Sequence, residues 1–229
     1  MKQEHVGRFA LAATLIGGAI LLVFFLAGFL SPGSDILDLG VEDGPVEWLA
    51  AFFWAATCVL CVLRLARGQR PRLLLVFWAV ATFVFLGEEV SWFQRVLGLD
   101  TPEAISELNT QGEFNFHNLG GLQGTSQWVF QLGFLFYFLL LPLLTVSSRV
   151  RAWTSKVGYT APHWAFLLMV WIVIGATYVL QALGAPEARQ VTSESRETFF
   201  AFTVLAYAYL YLRGGSQVPS QATEQADTR

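Results

Sequence analysis

The chain has 229 residues, 55% of them hydrophobic and only 14% charged, with 20 Phe, 8 Trp and a formal net charge of -3. A water-soluble domain carries about 25% charged residues, so this composition excludes an ordinary soluble globule and points to a single-domain membrane protein of several spans. Cys58 and Cys61 both fall inside an apolar run, which excludes a disulfide framework and reads as small core residues, not a redox pair.

Six apolar runs follow one another, at roughly 9–30, 47–66, 73–92, 126–146, 162–183 and 197–213, each near the ~20 residues that cross a ~30 Å hydrocarbon core. None alternates with the period of two that barrel strands show. The expected fold over residues 1–213 is therefore an all-α polytopic transmembrane helical bundle of six spans. Lys2 and Arg8 precede the first run as they would in a signal peptide. Its ~22 apolar residues exceed the ~7–15 of a cleavable signal, however, so it reads as a retained span. Residues 214–229 are rich in Gly, Ser, Gln and Thr without apolar periodicity and are expected to form a disordered cytoplasmic tail.

The charges divide by loop. The N-terminus, the loops near 65–72 and 147–157 and the tail hold all the basic residues except Arg95, Arg189 and Arg196. The intervening loops hold all the acidic residues except Glu4, Glu224 and Asp227. The excess of Lys and Arg on one side places both termini in the cytoplasm and the acidic loops outside.

The third run ends in Gly87-Glu88-Glu89-Val90-Ser91-Trp92-Phe93-Gln94-Arg95. Counting ~1.5 Å per residue from Arg72, Glu88 lies about 24 Å along a ~30 Å core, one turn beneath the outer interface. A continuous helix would put Glu88, Ser91, Trp92 and Arg95 on one stripe, with Glu89 and Gln94 flanking it. Ionisable groups at that depth are expensive and mark a ligand, proton or metal site, or a partner such as Arg95 or Arg196 that locks the assembly. Two adjacent acids also repel, which favours a shared proton or a bound cation.

Asp100-Thr101-Pro102-Glu103 is a helix-start signature, predicting a short outer interfacial helix through Leu108, with Ile105 and Leu108 at the membrane surface. Asn109 to Asn118 then leads to Gly120-Gly121. As an extended or re-entrant segment it lines Glu113, Asn115 and His117 on one side and Phe114 and Phe116 on the other. As a helix it makes Glu113 and His117 an i, i+4 pair able to share a metal ion. Gln127 and Gln131 of the fourth span, Gln181 of the fifth, and Glu194, Arg196 and Glu197 opening the sixth join the same outer layer. The inner halves of the spans read as nearly pure hydrocarbon. Trp48, Trp92 and Trp128 are expected to form an outer aromatic belt, Trp153 and Trp164 an inner one, with His163 beside it.

The pattern Gly87-Glu88-Glu89-x-Ser91-Trp92-x-Gln94-Arg95, followed by Asn109-x-Gln111-x-Glu113-x-Asn115-x-His117-Asn118, resembles a signature of small multi-pass bacterial membrane proteins of uncharacterised activity. The resemblance implies a membrane location and a fold, and no reaction. Alkaline ceramidase-like membrane hydrolases, by contrast, have seven spans and paired histidines on a late helix, which this chain lacks.

Three functions are consistent with these residues. One is a membrane-embedded enzyme, aided by a divalent cation on Glu88, Glu113 and His117, acting on a lipid or envelope intermediate through Glu88, Glu89, Ser91, Arg95 and His117. In it Ser91 would serve as nucleophile only with a base such as His117 in reach. A second is a carrier of protons or cations or a small molecule coupled to them, using Glu88 and Glu89. A third is a non-catalytic scaffold in which the cluster fixes helix packing. Membrane lipid is the expected partner. The basic residues are short cytoplasmic flanks and support no nucleic-acid binding.

Overall fold

The computed structural model describes residues 44–109, 125–184 and 188–212, with Asp35, the turn Leu37–Gly40, Asn115, Gly120, Pro186 and scattered positions between Arg8 and Leu30. The tail beyond residue 213 lies outside the described residues. Among them the regular structure is helical, as the hydrophobic periodicity predicts. Six helices carry the fold: α1 (Pro45–Ala66), α2 (Arg72–Glu89), α3 (Thr125–Leu135, continued through Phe136–Leu140 to Leu141–Leu144), α4 (Ser148–Lys156), α5 (Trp164–Leu183) and α6 (Ala188–Tyr211).

Local chemistry sets their ends. Pro45 opens α1, where its missing N–H costs nothing, with Glu47 in the first turn and Arg64 in the last, each opposing the dipole. His163 caps α5, its Nδ1 accepting from Ala165 N–H at 3.2 Å. Arg151 of α4 donates to the carbonyls of Thr145 (3.0 Å) and Val146 (3.2 Å), covering the open end of α3.

α1 packs along both α2 and α6, and α6 also packs on α5. Arg64, 6% exposed, reaches from α1 to the carbonyls of Ala208 (2.5 Å) and Tyr209 (3.4 Å) in the last turn of α6, where a cation is favoured. Rings from four helices form the core: Trp54 lies 4.9 Å from Phe85 and 6.2 Å from Phe130, and Phe200 lies 5.1 Å from Phe130 and 4.4 Å from Phe134. This layer lies beneath the ends of α1, α2 and α6 that carry Glu47, Glu89, Glu194 and Glu197.

The surface is inverted relative to a soluble bundle. Leu73, Val76, Phe77, Val80, Phe83 and Val84 of α2 are all exposed, at helical spacing, on one face. α1 and α5 are long and apolar enough to cross a membrane, by length and composition. Trp128–Leu144 of α3 is a shorter apolar helix.

Several expectations are corrected. The third helix stops at Glu89, not near residue 92, and the last begins at Ala188, nine residues before the apolar run at 197. Glu194, Arg196 and Glu197 thus lie inside α6, facing neighbouring helices, which is why so polar a stretch stays helical. The inner half is also not pure hydrocarbon. Residues Phe136–Leu140 form a π-turn, an arrangement frequent at functional sites. The extra residue per turn aims both Tyr137 and Phe138 inward, and Trp171 Nε1 donates to the Phe138 carbonyl at 3.1 Å. A hydrogen-bonded chain then runs from Trp78 Nε1 to Tyr137 OH (3.3 Å), to Tyr207 OH (3.0 Å), to the Thr160 carbonyl (3.1 Å). In the loop beyond, burial pushes the Tyr159 phenol up, so it stays neutral while donating to the Tyr137 carbonyl at 3.4 Å.

Candidate functional site

The segment after Glu89 does not continue the helix. Ser91, Trp92 and Phe93 all take positive φ (46°, 52° and 65°), the left-handed region that costs an L side chain about 1–2 kcal/mol per residue. A turn of helix then resumes at Gln94–Leu97. The single stripe of Glu88, Ser91, Trp92 and Arg95 expected from a continuous helix is therefore overturned. The left-handed turn folds the indole of Trp92 back over α2, where Nε1 donates to Glu88 Oε1 at 2.7 Å and the ring meets Phe83 edge-on at 6.0 Å. Trp92 thus leaves the outer aromatic belt, while Trp48 and Trp128 remain exposed, as do Trp153 and Trp164 at the other end.

Gly87 makes this fold-back possible. A Cβ there would stand 2.9 Å from Cδ2 and Cε3 of Trp92. Gly87→Ala should push the indole off Glu88 and cost about 1–2 kcal/mol, an overpacking penalty, in chemical unfolding of the detergent-purified protein. Gly133→Ala and Gly175→Ala, whose Cβ atoms would meet nothing within 4 Å, should cost nothing and serve as controls. Equal behaviour of all three would mean that the ring is elsewhere.

A buried polar chain anchors the turn from the other side. Ser91 is fully buried and its Oγ accepts from Asn115 Nδ2 at 3.3 Å. Asn109 Nδ2 donates to Asn115 through its backbone carbonyl (2.9 Å) and Oδ1 (2.8 Å). Asn109 and Asn115 are 6% and 4% exposed. The Gly120 N–H closes the base of the loop on the Leu108 carbonyl at 2.7 Å. Gln94 donates to the Thr101 hydroxyl. The expected short outer helix shrinks to Glu103–Ser106, with Pro102 at its cap position and no side-chain cap. Leu108 is exposed beside it.

Glu88 and Glu89 part company. Glu88 is held by Trp92. Glu89 turns toward α1 and α6, where the charges acting on it among the described residues are Glu197, Glu47 and Glu194. Both are half-buried, neither standing in open solvent. Arg196 does not lock them, since its guanidinium faces α5. Of the other candidate residues, Glu113 and His117 lie outside the described residues, as do the side chains of Arg95 and Gln127. No three His, Cys, Asp or Glu side chains among the described residues converge as metal ligands. The metal set Glu88, Glu113 and His117 therefore rests on the sequence.

Glu47 was missed by sequence reasoning, because an acid in a first helical turn reads as a dipole complement. Carboxylates of α1 and α6 nevertheless lie close enough to act electrostatically on Glu89 of α2. Asn109 and Asn115 were legible only as polar members of a loop, not as buried fasteners. No protein-family model, curated protein or solved structure matches this chain.

Proposed function

We propose that the chain is a six-span inner-membrane protein with both termini in the cytoplasm, whose polar site opens to the outer leaflet as a membrane-embedded enzyme acting on a lipid or envelope intermediate. The exposed apolar stripe of α2 supports a spanning role for that helix beside α1 and α5. The charge division between loops supports the orientation.

One observation carries the enzymatic reading. The Ser91–Asn115–Asn109 chain fastens a strained turn to the loop whose Glu113 and His117 are each two residues from Asn115 in the sequence. Strain of this kind persists where the surroundings over-determine it, and it clusters at sites of chemistry. In this reading Glu88, aimed by the Trp92 indole, is the acid or base, and Glu88, Glu113 and His117 would hold a divalent cation that would supply Lewis acidity. Ser91 is a fastener, since its Oγ is already engaged inside the protein.

The test compares lipids and envelope intermediates, by mass spectrometry, in cells expressing the protein or its variants. Expression should change at least one species, and Glu88→Gln and Glu89→Gln should abolish that change while Glu103→Gln and Glu107→Gln preserve it. Equal behaviour of all four would remove the site. A second reading, a proton or cation carrier, draws support from Glu89 among its three carboxylate neighbours and from the hydroxyl chain of Trp78, Tyr137 and Tyr207 deeper in the bundle. Proton or cation flux into liposomes, lost in Glu89→Gln, would favour it over the enzyme.

A further inference from the structure

Arg196 is a buried cation with no carboxylate in contact among the described residues. It is 6% exposed, and its contacts are neutral: Nη1 donates to Gln181 Oε1 (2.5 Å), Nη2 donates to Ser193 Oγ (3.0 Å), and Cζ lies 4.5 Å above the Tyr178 ring. Nε is buried and has no hydrogen-bond partner. Of its five guanidinium N–H hydrogens, the described residues accept from two, both through uncharged oxygens. Glu194 and Glu197 flank it in sequence; both act on Glu89 and Glu197 also acts on Tyr178, but no carboxylate oxygen among the described residues pairs with the guanidinium. A guanidinium removed from water without a counter-ion is costly, and the arrangement is stable when an anion completes it.

The surroundings say which anion. Gln181 is two residues, about 3 Å, from the end of α5, which is the depth of the interface and not of the hydrocarbon. The Tyr178 ring that covers the guanidinium is itself 41% exposed, and its hydroxyl donates to Gln131 Oε1 of α3 at 2.8 Å. On α3, one turn from Gln131, the Trp128 indole is exposed. A guanidinium at interfacial depth under exposed aromatic rings suits a phosphate at the lipid headgroup level.

We propose that Arg196, with Gln181, Tyr178 and Gln131, forms a phosphate-binding subsite between α3, α5 and α6, occupied by the phosphate of a lipid headgroup or by a free phosphate. Its depth rests on the membrane reading above. It does not depend on the chemistry assigned to Glu88, so failure of the Glu88→Gln experiment leaves it standing.

The test uses the full chain in detergent, titrated with short-chain phosphatidylglycerol, inorganic phosphate or a short-chain diacylglycerol, and followed by thermal unfolding and native mass spectrometry. Phosphatidylglycerol should bind and raise Tm, and the phosphate-free diacylglycerol should not. A matching response to inorganic phosphate assigns the subsite to the free ion, and its absence assigns it to the lipid. Arg196→Gln should weaken binding about thirtyfold or more. Gln181→Glu keeps the packing while giving Arg196 an internal carboxylate. It should raise Tm without any additive and abolish the phosphatidylglycerol response. The proposal is overturned if wild type responds to neither phosphate probe, or if Gln181→Glu and Arg196→Gln respond as wild type does.

Discussion

Phe93→Gly should leave the protein about 1 kcal/mol more stable than Phe93→Ala, the reverse of the order in a helix. Both substitutions remove the same ring, which is 40% exposed, so the loss of burial cancels between them. What remains is the backbone. In a helix interior Gly is about 1 kcal/mol worse than Ala. At φ 65° the Ala Cβ meets the neighbouring backbone and the sign inverts. The two conformations thus differ by about 2 kcal/mol in this one comparison, well outside the error of paired unfolding curves in detergent. If Ala proves the more stable, residues 91–93 continue the helix, and the contact between Trp92 and Glu88 disappears with the turn.

Asn115→Leu is expected to cost about 2–3 kcal/mol and to abolish whatever activity Glu88→Gln abolishes. The side chain is 4% exposed, accepts from Asn109 through Oδ1 and donates to Ser91. Leucine has the same branched heavy-atom skeleton with bulkier methyls and can do neither, so the effect reads chiefly lost hydrogen bonding with some overpacking. Asn115→Asp keeps the acceptor for Asn109 but loses the donor to Ser91, and should fall between wild type and Asn115→Leu. Chemical unfolding of the three proteins gives the order, and limited proteolysis between residues 109 and 120 should become faster in the same sequence. An Asn115→Leu protein within about 0.5 kcal/mol of wild type would show that the turn and the loop stand independently.

Much of the fold was legible. Apolar runs at helical length located the long helices among the described residues and their order, and Pro102 marked the short one, while the helix at Ser148–Lys156 was read as a loop. The acids at 88 and 89 stood out because ionisable groups are rare beside such runs. The hidden features share one physical character: each depends on a residue distant in sequence. Tyr137 and Tyr207 look like ordinary interfacial tyrosines until the π-turn brings their hydroxyls to 3.0 Å. The pattern from Glu88 to Arg95 has helical spacing, so periodicity could not reveal a left-handed turn. The close approach of the Trp92 ring to Gly87 became visible only in the structure.

Composition and periodicity by themselves determined that this is a helical chain with an apolar exterior and a polar cluster near the end of its third apolar run. Those properties follow from each residue's own preference for water or hydrocarbon and from local backbone geometry. Tertiary structure alone decided how the cluster is divided: Glu88 held by Trp92, Glu89 placed among the carboxylates of α1 and α6, and Arg196 turned away to α5 with only neutral partners. Adjacent positions on a helix point about 100° apart, so neighbours in sequence are delivered to different partners. Which partner waits on each side is set by the packing of helices far apart in the chain.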